Sequence, residues 1–391
     1  MEKSKTKKVA LLAFITVILT IMVTAFVDNR NNISEESIAA LKELNTDYDM
    51  VMTDNLLDSE DSPQIMTDIF AYDQYSTVNR GLIANTGEDM ILLQPLNEIS
   101  DTELKKIAQE YNEKIPEIYF EIDQDIAVTE DAIITEDLNV VTNTITEMVS
   151  TEDVSDAIRV AVIDSGMQED HVRFSDTTIE IEDGANVIDE NSDVEDDVGH
   201  GTHIAGIIAK NAPDAIIIPF KIVNKDGGKL SNVIKAVNGA IEADVQVINM
   251  SFGVEEESDS LKEIIEKATD EGIIIVAAAG NFSSEEAFYP AAYDETIAVA
   301  ATYYSGKKLE SSNYGDWVDV AAKGYHIYSS VPYNDYGFKN GTSQAAALVT
   351  AKVAVLLSEK GDLSRDEVVD YFSQTDRFVK GGELVDTPVL L

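Results

Sequence analysis

Three short segments of the 391-residue chain carry the residue types that nucleophilic catalysis needs. In chain order they are Val-Ile-Asp164-Ser-Gly, Gly-His200-Gly-Thr-His and Asn-Gly-Thr-Ser343-Gln-Ala. A serine hydroxyl is a weak nucleophile until a histidine accepts its proton, and the histidine must be held in one tautomer by a carboxylate. Taken alone, the Asp164 segment could be a strand end, the His200 segment a histidine pair on a helix, and the Ser343 segment a turn. Together they predict a serine-dependent peptide hydrolase.

The order of these residues narrows the kind of hydrolase. Aspartate, then histidine, then serine is the order found in the subtilisin family. A fourth segment, Ala-Ala-Ala-Gly-Asn281, lies between the histidine and serine segments, as it does in that family. From about residue 157 to about residue 360, the chain therefore resembles the subtilases, which are serine endopeptidases.

The resemblance implies a role for each of four side chains. Asp164 would orient the imidazole, His200 would act as general base and acid, and Ser343 would attack the scissile carbonyl. The side-chain amide of Asn281 would donate a hydrogen bond to the oxyanion. The Ser343 N–H is the expected second donor, because an apolar helical run at 344–357 begins there and the first N–H groups of a helix lack internal partners.

A short apolar segment is the candidate substrate-binding strand. Ser251, Phe252 and Gly253 follow a predicted strand and resemble the segment with which subtilases pair an extended substrate backbone. Phe252 equally fits a core position. Phe288 stands where the family often has a small residue at the base of the specificity pocket, so we expect a shallow pocket.

We predict that the protein uses no cofactor and no metal ion. His200 and His203 have the spacing of a metal pair on a helix, but only carboxylates lie near them in sequence and the chain has no cysteine. The family's high-affinity calcium site is also altered. Arg173 stands where a carboxylate ligand is expected, and the ligand loop is shortened to 210–213. Stability and maturation should therefore depend little on calcium.

The amino terminus has the composition of a secretion signal. Four lysines within residues 1–8 precede an uncharged apolar run at 9–27. As a helix this run would be ~28 Å long, about one bilayer core, so residues 1–27 are either a signal peptide or a retained membrane anchor. In both cases the remainder is extracytoplasmic, secreted or anchored to the outer face of the cell membrane.

Composition excludes several other functions. The formal net charge of −45 argues against a nucleic-acid partner and against adhesion to anionic lipid through basic residues. The absence of cysteine excludes disulfides and a thiol nucleophile. An acidic run at 189–197 leads directly into His200, and it is either a solvated loop or a means of attracting a basic substrate.

Two domains are predicted after the N-terminal segment. Residues 28–130 contain no catalytic motif and have the pattern of a small α+β unit, with one helix capped by Ser100. In the family such a unit is a propeptide that assists folding and blocks the active site, and the alternative is a permanent accessory domain. Residues 131–391 alternate between apolar strands and helices. They predict a subtilisin-like α/β fold, three layers with a central mostly parallel sheet.

The catalytic domain should hold its site at one sheet edge. Its predicted strands include 159–164, 215–222, 245–249 and 273–279, and its predicted helices include 202–210, 232–243, 261–270 and a long one after Ser343. Asp164 and Asn281 fall at or just after strand ends, where open α/β sheets place their sites.

Two classes of function remain open from the sequence. The first is a self-processing endopeptidase, either dedicated to removing the leader of a lantibiotic or related bacteriocin precursor or acting as a broad-specificity scavenging protease. The second is an inactive subtilase retained as a binding module, which the presence of all four catalytic positions disfavours. The expected partners are a peptide or protein substrate and the chain's own propeptide, and we expect a monomer.

A local repetition suggests where the chain cuts itself. Thr-Glu pairs recur between residues 129 and 153, in a polar stretch without the periodicity of a packed element. Such a loop can enter an active site in an extended conformation. We predict cleavage between Asp123 and Asp137, with the bonds after Glu130 and Glu136 preferred.

Overall fold

The structure, a computed structural model, describes residues 33–57, 66, 80–86, 90–126, 157–374 and 387–390. The chain divides into two compact units, Met1–Asp123 and Gln124–Leu391. The predicted signal or anchor segment at 1–27 and the bonds after Glu130 and Glu136 lie outside the described residues. Among the helices that are described, none is long and apolar enough to cross a membrane.

Among its described residues, the N-terminal unit has a four-stranded antiparallel sheet and two helices with defined bounds. These elements are α1 (Glu35–Tyr48), β1 (Met50–Asn55), β2 (Leu82–Asn85), β3 (Met90–Pro95), α2 (Asp101–Lys114) and β4 (Tyr119–Ile122), with strand order β1-β3-β2-β4. Ser100 caps α2 as predicted, since its Oγ accepts the Glu103 N–H at 3.3 Å. Apolar residues of both helices and of the sheet share one core, in which the rings of Tyr111 and Phe120 meet edge to face at 4.8 Å.

The second unit is built on an eight-stranded sheet in which every pairing is parallel. In spatial order its strands are β17 (Val389–Leu390), β14 (Val320–Lys323), β13 (Thr296–Thr302), β12 (Ile274–Ala278), β11 (Val247–Met250), β6 (Arg159–Asp164), β8 (Ile216–Lys221) and β7 (Thr178–Ile179). The central strands are buried along their whole length, which is why they appear in the sequence as continuous apolar runs. Parallel strands bring their carboxyl ends to one edge.

Helices cover both faces of this sheet. One face shares an apolar cluster with α3 (Gly201–Asn211), α6 (Thr342–Lys360) and α7 (Arg365–Ser373). The helices α4 (Leu230–Glu242) and α5 (Asp259–Asp270) pack on each other and cover the other face. This arrangement confirms the predicted three-layer α/β fold. α6 is buried on nearly all sides, as its almost uncharged sequence predicts.

Two small sheets, neither of them predicted, complete the second unit. β9 (Val223–Asn224) and β10 (Gly227–Lys229) form a hairpin, and β5 (Asp125–Ile126) pairs with the free side of β10. β15 (Ile327–Val331) and β16 (Asp335–Lys339) form a second hairpin, and β15 contacts α3.

Two predicted helix starts are wrong. α4 begins at Leu230 and not at residue 232, and the start of α5 is displaced as well. The sequence suggests that Ser260 and Glu263 cap the helix before the apolar run, but α5 begins two residues earlier. Ser258 is its cap, with the Oγ accepting the Leu261 N–H at 3.0 Å. Two serines spaced by two residues fit the cap pattern about equally well, and only the extended backbone at Ser258 decides between them.

Candidate active site

Asp164 and His200 form a buried pair at the carboxyl end of β6. Asp164 is the last residue of β6, and His200 directly precedes α3. His200 Nδ1 lies 2.8 Å and 3.0 Å from the two carboxylate oxygens of Asp164. Because Nδ1 faces a carboxylate, it carries the proton and donates it, which leaves Nε2 as the basic atom. His200 Nε2 is buried and has no hydrogen-bond partner within the described part of the chain.

A second buried carboxylate, Asp196, ties the two loops of this pair together. Its Oδ1 accepts a hydrogen bond from Ser165 Oγ at 2.8 Å, and its Oδ2 accepts from Thr202 N at 2.8 Å and from Thr202 Oγ1 at 2.6 Å. Ser165 follows Asp164, and Thr202 is two residues after His200. One side chain therefore fixes the relative position of the pair. In the sequence, Asp196 is one member of an acidic run, and composition alone does not distinguish a buried carboxylate from its neighbours.

Other members of the acidic run at 189–197 are paired with lysines. Glu190 contacts Lys235 Nζ at 3.2 Å, and Asp197 accepts a hydrogen bond from Lys221 Nζ at 2.9 Å. Burial opposes ionisation of Asp197, but the hydrogen bond and charge of Lys221 outweigh it and lower the pKa of this carboxyl. The run is therefore a structured loop, and two of its six carboxylates are paired with lysines.

Ser343 lies in the first turn of α6, which begins at Thr342. It is fully buried, and its Oγ donates to the carbonyl oxygen of Ser251 at 3.3 Å. Ser251 directly follows β11, which is the neighbour of β6 in the sheet. α6 and α3 also pack on each other, so the helix that carries the serine adjoins the helix that begins after His200.

Asn281 lies in a turn after β12 and is bound to the start of α6. Its Oδ1 accepts the Thr342 N–H at 2.9 Å, and Thr342 Oγ1 accepts the Gly280 N–H at 3.1 Å. Gly280 has a φ of +96°, and a Cβ at this position would lie 2.6 Å from the Asn313 amide nitrogen, so the turn requires glycine. These contacts fix the position of the Asn281 side chain beside the first turn of α6, the helix that carries Ser343.

The candidate substrate-binding segment, Ser251, Phe252 and Gly253, is buried. Phe252 is a core residue, with 2% of its surface exposed, so only the backbone of this segment is suited to contact a substrate. The ring of Phe288 lies against Gly253 and Gly280, where added Cβ atoms would approach it to 2.4 Å and 3.0 Å. Phe288 therefore occupies space between the segments around Gly253 and Gly280, and the shallow pocket stays a prediction.

Gln344, the residue after Ser343, has an unusual environment. It is fully buried, and neither its Oε1 nor its Nε2 has a hydrogen-bond partner within the described part of the chain. Leaving a polar group buried without a partner costs roughly 1–3 kcal/mol. The sequence identified Gln344 only as a departure from the usual family residue.

The second histidine of the predicted His200–His203 pair has a structural contact. His203 Nε2 lies 3.3 Å from the carbonyl oxygen of Gly337, and burial lowers the pKa of His203 to about 3. Within the described ranges, no group of three or more His, Cys, Asp or Glu residues could hold a metal ion. Arg173 lies with its guanidinium carbon 5.9 Å from the centre of the Tyr336 ring.

Comparison with known proteins shows to which protein family the chain belongs. Residues 155–384 match the family model Peptidase_S8, described as the subtilase family. Subtilisin DY of Bacillus licheniformis is 34% identical over 248 residues, which are 59% of this chain and 89% of the relative. The chain spans 61% of the length of several other Bacillus subtilisins that are 35% identical to it.

Two solved structures are similar in fold. A cold adapted subtilisin-like serine proteinase matches with a TM-score of 0.53 at 26% identity, over 63% of this chain and 90% of the other. A lanthipeptide protease matches with a TM-score of 0.55 at 23% identity, over 60% of this chain and 85% of the other. The fold and these similarities define a serine endopeptidase. The chain belongs to the subtilase family.

Proposed function

We propose that the protein is a self-processing endopeptidase in which Asp164, His200 and Ser343 form the catalytic triad. The observation that supports this most strongly is the buried contact of 2.8 Å between His200 Nδ1 and Asp164 Oδ1. Asp164 holds the imidazole in the tautomer whose Nε2 is free of a proton. His200 Nε2 accepts the Ser343 proton during attack and then delivers it to the leaving amine.

Attack requires one local change at the nucleophile. Ser343 Oγ donates to the Ser251 carbonyl oxygen at 3.3 Å, and it must turn from this acceptor to His200 Nε2 before it can lose its proton. Catalytic hydrogen bonds are often long or misaligned until a substrate is bound, so this starting geometry is compatible with the proposed role.

The oxyanion formed by attack has two proposed donors, the Asn281 side-chain amide and the Ser343 backbone N–H. The bond from Thr342 N to Asn281 Oδ1 supports this, because it holds the asparagine beside the first turn of α6. Preorganised donors of this kind stabilise the developing negative charge without reorganising during the reaction.

The N-terminal unit is proposed to be a propeptide, spanning about residues 28–130, that is removed by the chain's own active site. The pairing of β5 with β10 supports this, because residues that follow the N-terminal unit already lie in the catalytic unit as an extended strand. The lysine-rich start and the apolar run at 9–27 further support export, with the catalytic unit secreted or anchored outside the membrane.

For the physiological substrate we propose a bacteriocin or lantibiotic precursor from which a leader is removed. The space restricted by Phe288 supports a selective enzyme over a broad-specificity scavenger. The fold similarity to a lanthipeptide protease is compatible with this choice, and at 23% identity it concerns the fold alone.

Mass spectrometry of the wild type beside Ser343→Ala tests the proposal. The wild type should lose its N-terminal unit by cleavage between Asp123 and Asp137 and should hydrolyse peptides, whereas the variant should keep the unit and be inactive. Identical trimming of both proteins, or normal turnover by the variant, would contradict it.

A further inference from the structure

The strand β5 shows how an extended chain binds at the edge of the catalytic unit. Leu230 N donates to the Gln124 carbonyl oxygen at 2.9 Å, and the register pairs Asp125 with Lys229 and Ile126 with Gly228. Main-chain pairing of this kind is how many proteins bind peptides, with backbone bonds giving affinity and side-chain contacts giving selectivity.

The strand β5 lies near the end of β6. Ile126 pairs with Gly228, where a Cβ would come 2.7 Å from the Ile222 carbonyl oxygen. The Ile222 N–H in turn donates to the Asp164 carbonyl oxygen at 2.9 Å. The edge on which β5 pairs therefore adjoins the end of β6, where the proposed catalytic carboxylate lies.

The two residues of β5, Asp125 and Ile126, make different side-chain contacts with β10. Asp125 and Lys229 are a non-hydrogen-bonded cross-strand pair, in which side chains lie closest, and they form a salt bridge. The next residue, Ile126, is 7% exposed, and its Cγ1 and Cδ1 lie 2.9 Å and 2.8 Å from the position a Cβ on Gly228 would take. β10 thus offers a cation for one residue and a side-chain-free surface for the next.

We propose that Lys229 is a specificity-determining residue, which selects substrates with an acidic side chain opposite it followed by a branched aliphatic residue over Gly228. The segment Asp125-Ile126 is then the first substrate that the site meets. This inference rests on the proposed endopeptidase function. The chain has 73 acidic and 28 basic residues, so a lysine at this edge is a local exception to a field that would otherwise repel an acidic peptide.

The test uses the self-processed wild-type enzyme and three synthetic peptides of chain residues 121–138. One has the native sequence, and the others carry Asp125→Asn and Asp125→Lys. Exposed ion pairs contribute little, and side-chain exposures of 25% for Lys229 and 52% for Asp125 put this pair in that class. We therefore expect kcat/KM to fall by about 3- to 5-fold for the Asn peptide and by about 10-fold for the Lys peptide.

Three enzyme variants make the test more specific. Lys229→Glu should reverse the order and prefer the Lys peptide, whereas Lys225→Glu, an exposed lysine in the same β9–β10 hairpin, should retain the wild-type order. Lys229→Gln should cleave all three peptides at similar rates, and it checks the result if the charge-reversed protein does not fold.

The outcomes separate this inference from the function on which it rests. If the wild type cleaves none of the peptides, or Ser343→Ala cleaves them equally well, the proposed function fails. If the wild type cleaves all three at equal rates, prefers the Lys peptide, or keeps its preference after Lys229→Glu, the role of Lys229 is refuted while the endopeptidase proposal stands.

Discussion

The two units of this chain use their sheets in different ways. In the second unit, the eight-stranded parallel sheet is covered on both faces. The proposed catalytic residues lie at the end of β6 and at the starts of α3 and α6. In the described part of the N-terminal unit, a four-stranded antiparallel sheet packs with two helices around a smaller core. We infer that the second unit positions the proposed catalytic residues. The N-terminal unit contains none of these residues, so its contribution depends on its folded structure. Changes in the two units should therefore have different kinds of effect.

The largest effect should come from His200→Ala. A catalytic triad acts as a unit, so loss of the histidine should lower kcat by a factor on the order of 10⁶, as in subtilisin itself. The melting temperature should change little, which circular dichroism can check. Loss of activity through global unfolding would mean that His200 holds the fold and would weaken the contrast between the units.

Asn281→Ala should have an intermediate effect on the same unit. Removal of one oxyanion donor typically costs about 10²- to 10³-fold in kcat, again with subtilisin as the known example. Steady-state kinetics on a peptide substrate would measure it. Because Asn281 Oδ1 also accepts the Thr342 N–H, Asn281→Asp keeps that acceptor while removing the donor, and it should be similarly impaired.

A core substitution in the N-terminal unit should lower the stability of that unit without changing the turnover of the mature enzyme. Leu82 is fully buried in β2, and Leu82→Ala should destabilise its unit by about 2–5 kcal/mol. We expect a lower yield of mature enzyme but an unchanged kcat/KM per active site, measured by active-site titration. A reduced kcat/KM in fully processed protein would show that the two units are not separable in this way.

A substitution at Gln344 is expected to stabilise the protein, by less than Leu82→Ala destabilises it. Replacing the unpartnered buried amide in Gln344→Met should raise the free energy of unfolding by about 1–2 kcal/mol, because the desolvation cost is removed at similar volume. Chemical denaturation of a Ser343→Ala background avoids self-digestion. Destabilisation instead would indicate that the amide has a partner when the protein is in solution.

The smallest effect should follow calcium chelation. The sequence lacks two features of the family's high-affinity site, and the described residues contain no group that could hold a metal. We expect no measurable change in melting temperature or maturation on adding a chelator. A clear drop in the melting temperature would reveal a calcium site that stabilises the protein.

The elements that could be predicted from the sequence are those that fold by burial. The strands and helices of the large parallel sheet are long apolar or amphipathic runs, and their types and order are confirmed. β10 could not be found in this way, because Gly-Gly-Lys has no strand propensity and owes its conformation to cross-strand pairing. The β15–β16 hairpin was missed for a related reason, since β16, Asp-Tyr-Gly-Phe-Lys, is largely half-exposed and has no continuous apolar run.

In the candidate site, too, some residues could be predicted from the sequence and others could not. Asp164, His200, Ser343 and Asn281 were identified because their segments match a known arrangement in order and spacing. Asp196 was not, because its importance lies in being the buried member of an acidic loop, and burial is decided by long-range packing. The contact between Phe288 and Gly253 is likewise a matter of tertiary structure, although the resemblance had already suggested a shallow pocket.

The pairing of β5 with β10 also has a consequence for solubility. Edge strands with open N–H and C=O groups are templates on which other chains can add, and proteins protect such edges with short strands, charges or covering segments. β10 is three residues long and ends in a lysine, and residues 124–126 cover it. If residues 124–126 were removed, the edge of β10 would be open to pairing with strands of other molecules. Only the short length of β10 and the positive charge of Lys229 would then oppose such aggregation.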